Sequence, residues 1–234
     1  MLCSNNVALC TIRINRDYNF AILVTDKIAD KTLLSSKDDI NIFPLYNIDE
    51  SNSLFVKLCD VFPNFEKDII RIIEKGLGEQ VEPQELFDYI YAVLHSPSYR
   101  ERYKEFLKID FPRIPYPTDA TRYHNLAKKG AELRKLHLME GLPNSVGVSF
   151  PAVGTLQVDC YRWENNRVYI NAEQYFEGVP ENAWNFYIGG YQPAQKWLKD
   201  RKGMTLCMED VLHYQRIIYV LQQTERIMQE IDKM

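Results

Sequence analysis

A basic and aromatic run in the last quarter of the chain holds the residue types that could do chemistry most directly. Residues 189–203 read GGYQPAQKWLKDRKG, with a glycine pair, two amides and four cations around one acid. A glycine pair lets a backbone approach a phosphate closely, and the cations could neutralise phosphates. A solvated basic helix end is the alternative, because cations favour the carboxyl end of a helix dipole. The candidate contacts are Gly189, Gly190, Tyr191, Gln192, Lys196, Lys199, Arg201 and Lys202.

A second candidate is the segment 162–167, RWENNR, which is predicted to form the tip of a β-hairpin. Arg162 and Arg167 could read guanine edges, Asn165 and Asn166 could read adenine edges, and a two-stranded ribbon fits a major groove. An Asn-Asn pair is also what a tight turn favours, so a purely structural turn is the alternative. The alternating charges of 99–104, YRERYK, are interpreted as the solvated face of an amphipathic helix.

The sequence lacks the short motifs of common catalytic sites. It contains no G-x-x-x-x-G-K-[ST], G-x-G-x-x-G, G-x-S-x-G or H-E-x-x-H pattern. The paired carboxylates at 38–39 and 49–50 fall in predicted loops and are interpreted as solvated charge. Four histidines fall in predicted helices without acidic or cysteine partners at ligand spacing: His95, His124, His137 and His213. We therefore predict no catalytic residue and no metal site in this chain.

Composition places the chain among ordinary globular proteins, with 46% hydrophobic residues, 15 Tyr and 11 Phe. The net charge of −4 counts against a simple nucleic-acid binder, although a local basic face does not depend on the sum. Five cysteines without C-x-x-C spacing indicate a reducing compartment. No signal peptide and no membrane span are predicted, so we expect a cytoplasmic protein.

The order of elements that must position these residues is strands, helices, strands, helices, which indicates an α+β fold. We expect mixed small β-sheets, a helical subdomain and a long C-terminal helix. The three-proline segment 110–117 is predicted to be an extended strap. Predicted strands are 7–14, 20–25, 41–47, 155–163, 167–171 and 184–188; predicted helices are 66–74, 83–95, 98–108, 119–139, 193–199 and 208–232. The expected parts of one compact recognition unit are an N-terminal β part at 1–60, a helical subdomain at 61–140 and a hairpin region with C-terminal helices at 141–234.

Longer blocks carry a resemblance to a known family. FDYIYAVLHSPSYR at 87–100, with DFPRIP at 110–115, resembles the C-terminal target-recognition region of type ISP restriction–modification enzymes. IGGYQ at 188–192, KWLKDRKG at 196–203 and FPLY at 43–46 are similar to the same region. These matches span about residues 40–232, so they are far more specific than any short motif.

The resemblance implies a part of a larger bacterial enzyme. The full enzymes join a nuclease, a helicase-like ATPase and an N6-adenine methyltransferase to this C-terminal specificity region. S-adenosylmethionine is then expected in the methyltransferase core of the parent polypeptide, and no cofactor in this chain. The chain has no N-P-P-[YFW] loop and is not expected to transfer methyl groups alone. Because it opens with its own Met, it is expected to be either an excised part or a separately encoded one.

Two functions are carried forward. The leading hypothesis is a sequence-specific DNA recognition module whose partners are double-stranded DNA and the parent methyltransferase core. The alternative is a protein-interaction module that docks on a methyltransferase or helicase without DNA binding of its own, which the acidic pI of 5.7 favours. The blocks that resemble the family are expected to form the framework of the domain and to bind the DNA backbone, because segments shared in a family cannot encode different targets. Base readers are expected in 13–19, 144–151 and 161–167.

Overall fold

The computed structural model describes residues 6–14, 20–35, 38–50, 59–143 and 146–234. Within them the chain forms three small antiparallel sheets and eight helices, which confirms the predicted α+β class. The sheets have the strand orders β2-β1-β3, β4-β5 and β6-β7-β8. The strands are β1 (Ala8–Thr11), β2 (Ile22–Thr25), β3 (Asn41–Pro44), β4 (Tyr46–Glu50), β5 (Cys59–Pro63), β6 (Arg162–Glu164), β7 (Arg167–Tyr169) and β8 (Tyr175–Glu177).

The helices begin and end at the residues that local chemistry favours. Pro83 and Pro193 occupy first-turn positions, and Gly78 ends a helix in the left-handed conformation with φ 78°. None of the helices in the described part of the chain has the length and apolar character needed to cross a bilayer. The helices are α1 (Lys67–Leu77), α2 (Pro83–His95), α3 (Pro97–Arg102), α4 (Lys104–Leu107), α5 (Ala120–His137), α6 (Glu181–Trp184), α7 (Pro193–Lys199) and α8 (Met208–Ile231).

Helices α2 and α5 pack closely because a glycine lies at their crossing. A Cβ on Gly130 would stand 1.7 Å from the carbonyl oxygen of Asp88, so no larger residue fits at this separation. One turn away, the guanidinium of Arg134 donates to both carboxylate oxygens of Asp88 at 2.7 and 3.1 Å. Burial raises the pKa of Asp88, and the hydrogen bonds from Arg134 oppose that rise.

A hydrogen-bond chain then joins α8 to these two helices. The Thr224 hydroxyl donates to the carbonyl of Val220 at 2.7 Å, so it must accept from Nε2 of His137 at 2.8 Å. Nδ1 of His137 is therefore left to accept from the Tyr91 hydroxyl at 2.5 Å. Burial lowers the pKa of His137 to about 4, which matches the neutral ring that this chain requires.

Helix α8 runs through two apolar clusters. The first cluster combines β1, β2, α1, α2 and α5 with Ile227 and Ile231 from the last turns of α8. The second cluster combines the β6-β7-β8 sheet, α6 and α7 with Val211, Tyr214 and Ile218 from the first half of α8. One helix thus ties both parts of the molecule together. The division at residues 60 and 140 stays a prediction.

The strap at 110–117 is not helical, as predicted, and forms no strand, but some predicted elements differ from the structure. The predicted helix at 98–108 is two short helices, because Tyr103 leaves the helical conformation. The predicted strand at 184–188 is wrong: Trp184 ends α6, and only Ile188 forms a bridge, to Tyr191. Burial of Ala183 and Trp184 in the second cluster overrides the strand preference of the aromatic residues in 184–188. Strands β5 and β8 had no counterpart in the prediction, and β4 begins at the end of the predicted strand 41–47. The predicted strand 155–163 is wrong over most of its length, because only an isolated bridge at Gln157 precedes β6 in that range.

Candidate nucleic-acid interface

The predicted hairpin tip exists and is a two-residue turn. Glu164 pairs with Arg167, so Asn165 and Asn166 alone connect β6 to β7. Their φ angles of 51° and 59° are those of a type I′ turn, in which Asn is one of the few residues tolerated. The backbone thus explains why asparagine stands here, and both side chains remain exposed to solvent.

The two arginines that flank this turn are held against tyrosines of the same sheet. Arg162 lies over the ring of Tyr169 at 5.0 Å, and Arg167 lies over the ring of Tyr175 at 4.6 Å. Arg167 also donates twice to Oε1 of Glu177, at 3.1 and 2.7 Å. Arg162 is the more exposed of the two and forms a single pair with Glu164 at 3.2 Å.

The glycine pair lies close to the backbone of another segment of the protein, at Leu34. Gly189 is buried with φ +56°, and a Cβ there would stand 2.4 Å from the carbonyl oxygen of Leu34. The backbone N–H of Gly190 points to the same oxygen at 3.4 Å. Packing against Leu34 therefore accounts for Gly189, while Gly190 stays exposed. Tyr191 is half-buried beside this turn, and the half-buried Gln192 precedes α7.

The lysines at the end of α7 differ in how free their charges are. Lys196 is paired with Asp200 at 2.6 Å, one helical turn ahead. Lys199 and Lys202 are exposed, and neither forms an ion pair with any residue in the described ranges. These two ammonium groups are therefore the ones in this run that are free to meet an external anion.

Arg201 is half-buried and fixed from three sides. Its guanidinium lies 3.7 Å from the centre of the Trp197 ring, donates to the Trp197 carbonyl at 3.3 Å and stands 3.5 Å from Oδ1 of Asp210. On α8, the pKa of His213 is lowered, first by burial and then by the positive charges of Arg201 and Arg216.

Arg216 is therefore part of the same electropositive area. It is exposed, and sequence reasoning missed it because it lies on the next helix, 14 residues beyond Lys202. The four cations Lys199, Arg201, Lys202 and Arg216 are called the basic patch below.

The basic patch and the hairpin belong to one piece of backbone. The N–H of Gly203 donates to the carbonyl of Val158 at 2.7 Å, and the N–H of Val158 donates to Met204 at 2.9 Å. Only seven residues separate Val158 from Asn165. An extended chain of that length spans at most about 25 Å. The hairpin tip and Gly203, which follows Lys202 of the basic patch, therefore lie within one turn of a DNA duplex, which is about 34 Å.

The other predicted reading segments are described only in part, since 15–19 and 144–145 lie outside the described residues. Arg13 stacks on Phe111 at 5.6 Å and pairs with Asp110 at 3.1 Å, so it is tied to the strap. Ser149 exchanges backbone hydrogen bonds with Glu177 and extends the sheet of the hairpin.

In the charged segment 99–104, one residue departs from the predicted solvated face. Arg100 turns inward, where it donates to the carbonyl of Leu94 at 2.6 Å and lies over the ring of Phe20 at 5.5 Å. Burial lowers the pKa of this guanidinium to about 10.

All four histidines have structural partners, and His213 lies against Trp197 with the ring centroids 6.1 Å apart. His95 and His137 lie against Tyr91 between the helices. His124 is bound by Glu79 at 2.8 Å and Glu85 at 2.6 Å, acidic partners that its spacing in sequence did not indicate.

Comparison with known proteins identifies the family. The sequence model of one protein family, the Type ISP C-terminal specificity domain, matches residues 1–230. The fold is shared with the ATP-dependent Type ISP restriction-modification enzyme LlaBIII bound to DNA, at a TM-score of 0.75 and 18% identity. It is also shared with a DrdV–DNA complex solved by cryoEM, at 0.75 and 21%, and with a nuclease-deletion mutant of the Type ISP enzyme LlaGI in complex with a DNA substrate mimic, at 0.70 and 19%.

These alignments cover 96–97% of this chain but only 16–24% of the three solved chains. No curated protein matches this sequence. The chain belongs to the Type ISP C-terminal specificity domain family.

Proposed function

We propose that this chain binds double-stranded DNA and selects the target sequence for a restriction–modification adenine methyltransferase. The observation that carries the proposal is the placement of free cations beside an exposed hairpin. Lys199 and Lys202 have no ion pair among the described residues, and the backbone bond from Gly203 to Val158 holds them near Asn165. A net charge of −4 does not oppose this, because DNA responds to the local surface.

The two parts of the interface have different tasks in this proposal. The basic patch grips phosphates and orients the domain, a contact that is independent of sequence. The hairpin enters the major groove, where Arg162 reaches guanine edges and the two tip amides reach adenine edges. Arg167 is held by Glu177 and Tyr175, so its main task is to keep the ribbon rigid.

The proposal assigns the chemistry to another part of the enzyme. The three structural relatives are much longer than this chain, and two are named as Type ISP restriction-modification enzymes with DNA. We infer that a methyltransferase core of the parent protein is the partner of this domain, that the core binds S-adenosylmethionine, and that the complex works in the cytoplasm. This chain would supply binding and selectivity, and no methyl transfer.

The first experiment measures binding of the purified chain to random-sequence duplex by fluorescence anisotropy between 50 and 300 mM salt. A linear fall of the logarithm of the binding constant with the logarithm of salt concentration is expected, because phosphate contacts release counterions. A random duplex that does not bind at any salt concentration would favour the alternative, a module that docks on the methyltransferase through protein contacts alone.

A further inference from the structure

A second site lies at the opposite end of α8 from the basic patch. A cavity of about 530 Å³ opens between the strap, α2, α3 and the two helix ends at Asp119 and Asp232. The 22 residues from Asp210, which contacts the patch, to Asp232 correspond to about 33 Å of helix. The cavity therefore stands apart from the proposed DNA contact of the patch.

The cavity is preformed, because its walls are fixed by hydrogen bonds. The hydroxyl of Tyr89 donates to the strap carbonyl of Pro115 at 2.9 Å, and that of Tyr99 donates to Arg113, also at 2.9 Å. The carboxylate of Asp232 accepts from the Ser96 hydroxyl at 2.5 Å and from the Ser98 backbone at 2.9 Å. Strap and α8 are thus both pinned to the junction between α2 and α3. Preformed cavities of this volume are typical of sites for small molecules.

Aromatic rings line the cavity from its floor to its rim. Tyr89, Tyr99 and Tyr123 are buried, whereas Tyr103 and Tyr116 are 37% and 49% exposed. The Arg102 guanidinium lies over the Tyr103 ring at 5.4 Å, so the ring of Tyr116 is the one that offers a face on which a planar group can stack. The Tyr123 hydroxyl is buried and has no hydrogen-bond partner. An unpaired buried hydroxyl costs free energy, so a ligand group that reached this hydroxyl and paired with it would remove that cost.

Two cations complete the lining. Arg102 and Arg122 are exposed, and neither forms an ion pair within the part of the chain that the structure describes. The two carboxylates of the lining are already engaged. Asp232 is held by the serines, and Asp119 accepts from the backbone N–H of Arg122 at 2.9 Å. The guanidinium groups are therefore the charges left for a ligand, and their fork of donors suits phosphate oxygens.

From these features we propose that the cavity binds a nucleoside phosphate, with the base stacked on tyrosine and the phosphate held by Arg102 and Arg122. The chemistry is the same for a free nucleotide and for an unstacked nucleotide of a DNA strand. This proposal does not depend on the basic patch. It rests only on the residues that line the cavity.

The test measures binding of deoxyadenosine monophosphate to the whole chain by isothermal titration calorimetry, with inorganic phosphate and deoxyadenosine as partial probes. The double variant R102Q/R122Q should weaken nucleotide binding by at least tenfold. The variant Y123F removes only the orphan hydroxyl, so it should fold as well as the wild type and bind the nucleotide several-fold more weakly. The control K199Q/K202Q should leave nucleotide binding unchanged.

The outcomes separate the two sources of ligand. Loss of duplex binding in R102Q/R122Q together with loss of nucleotide binding assigns the cavity to a nucleotide of DNA. Intact duplex binding assigns it to a free nucleotide. No measurable nucleotide binding, binding that R102Q/R122Q leaves unchanged, or inorganic phosphate that binds as tightly as the nucleotide would each overturn the proposal. None of these results would bear on the basic patch, whose failure K199Q/K202Q reports separately.

Discussion

Replacing Lys199 and Lys202 by glutamine removes two positive charges from the basic patch without breaking an ion pair of the described structure. Both side chains are exposed, so the fold should keep its stability to within about 0.5 kcal/mol. If each lysine neutralises one phosphate, the slope of log K against log salt should fall by about 1.8 in magnitude. The same loss corresponds to roughly 60-fold weaker binding at 0.1 M salt, since each contact contributes about 0.9 to the slope.

The assay is fluorescence anisotropy with a random 20-base-pair duplex at five salt concentrations. The matched control replaces Lys75 and Lys128, two exposed lysines on α1 and α5 that form no ion pair in the described ranges, and it carries the same change of net charge. A slope that is unchanged in K199Q/K202Q, or one that falls equally in both double variants, would refute the reasoning. An equal fall in both double variants would mean that the overall charge of the chain, and not a specific patch, determines the salt dependence.

Arg201 should behave differently from the two lysines. It is bound to Trp197 and Asp210, so R201Q should lower the free energy of unfolding by about 1 kcal/mol through lost stacking and pairing. Its effect on the salt slope should be smaller than that of either lysine, because part of its charge is already engaged by Asp210.

Further expected outcomes concern the hairpin and the helical part. N165G/N166G keeps the left-handed turn but removes both amides, so selection from a random duplex library should lose about 1–3 kcal/mol of discrimination per lost base contact while non-specific affinity stays constant. Urea unfolding should show that G130A is destabilised by about 3 kcal/mol, because the new methyl would overlap the carbonyl of Asp88. The lowered pKa of His137 means that the folded state binds fewer protons than the unfolded chain below pH 6.5. Between pH 7 and pH 4, the free energy of unfolding of the wild type should therefore fall by about 3 kcal/mol more than that of H137Q. Urea unfolding at both pH values measures this, and an equal fall in the two proteins would contradict the neutral ring.

Features that depend on short stretches of sequence could be predicted. The hairpin follows from Asn165 and Asn166, because few residue pairs accept two left-handed conformations in succession. The lack of a helix in the strap follows from its three prolines, and the start of α2 follows from Pro83. The resemblance to the family, which was inferred from blocks such as 87–100 and 196–203, was confirmed as well.

Features that depend on distant partners could not be predicted. Gly189 stands where it does because of the carbonyl of Leu34, 155 residues earlier in the chain. The cavity likewise exists because tyrosines of α2 and α3 bind strap carbonyls 14 to 26 residues away. Neither contact leaves a periodic signal, so the sequence pattern did not indicate that Gly189 packs against Leu34, and it assigned no role to the tyrosines.

The basic patch is connected to the helical part of the domain through α8. Arg201 is paired with Asp210 in the first turn of α8, while Asp232 just beyond its last turn is bound by the serines of the α2–α3 junction. The helix between them is buried in both apolar clusters and leaves little freedom for the two ends to move separately. The basic patch and the helical part of the domain are therefore expected to move together as a rigid body. If the proposed function holds, selection of a target would then require no conformational change within this chain.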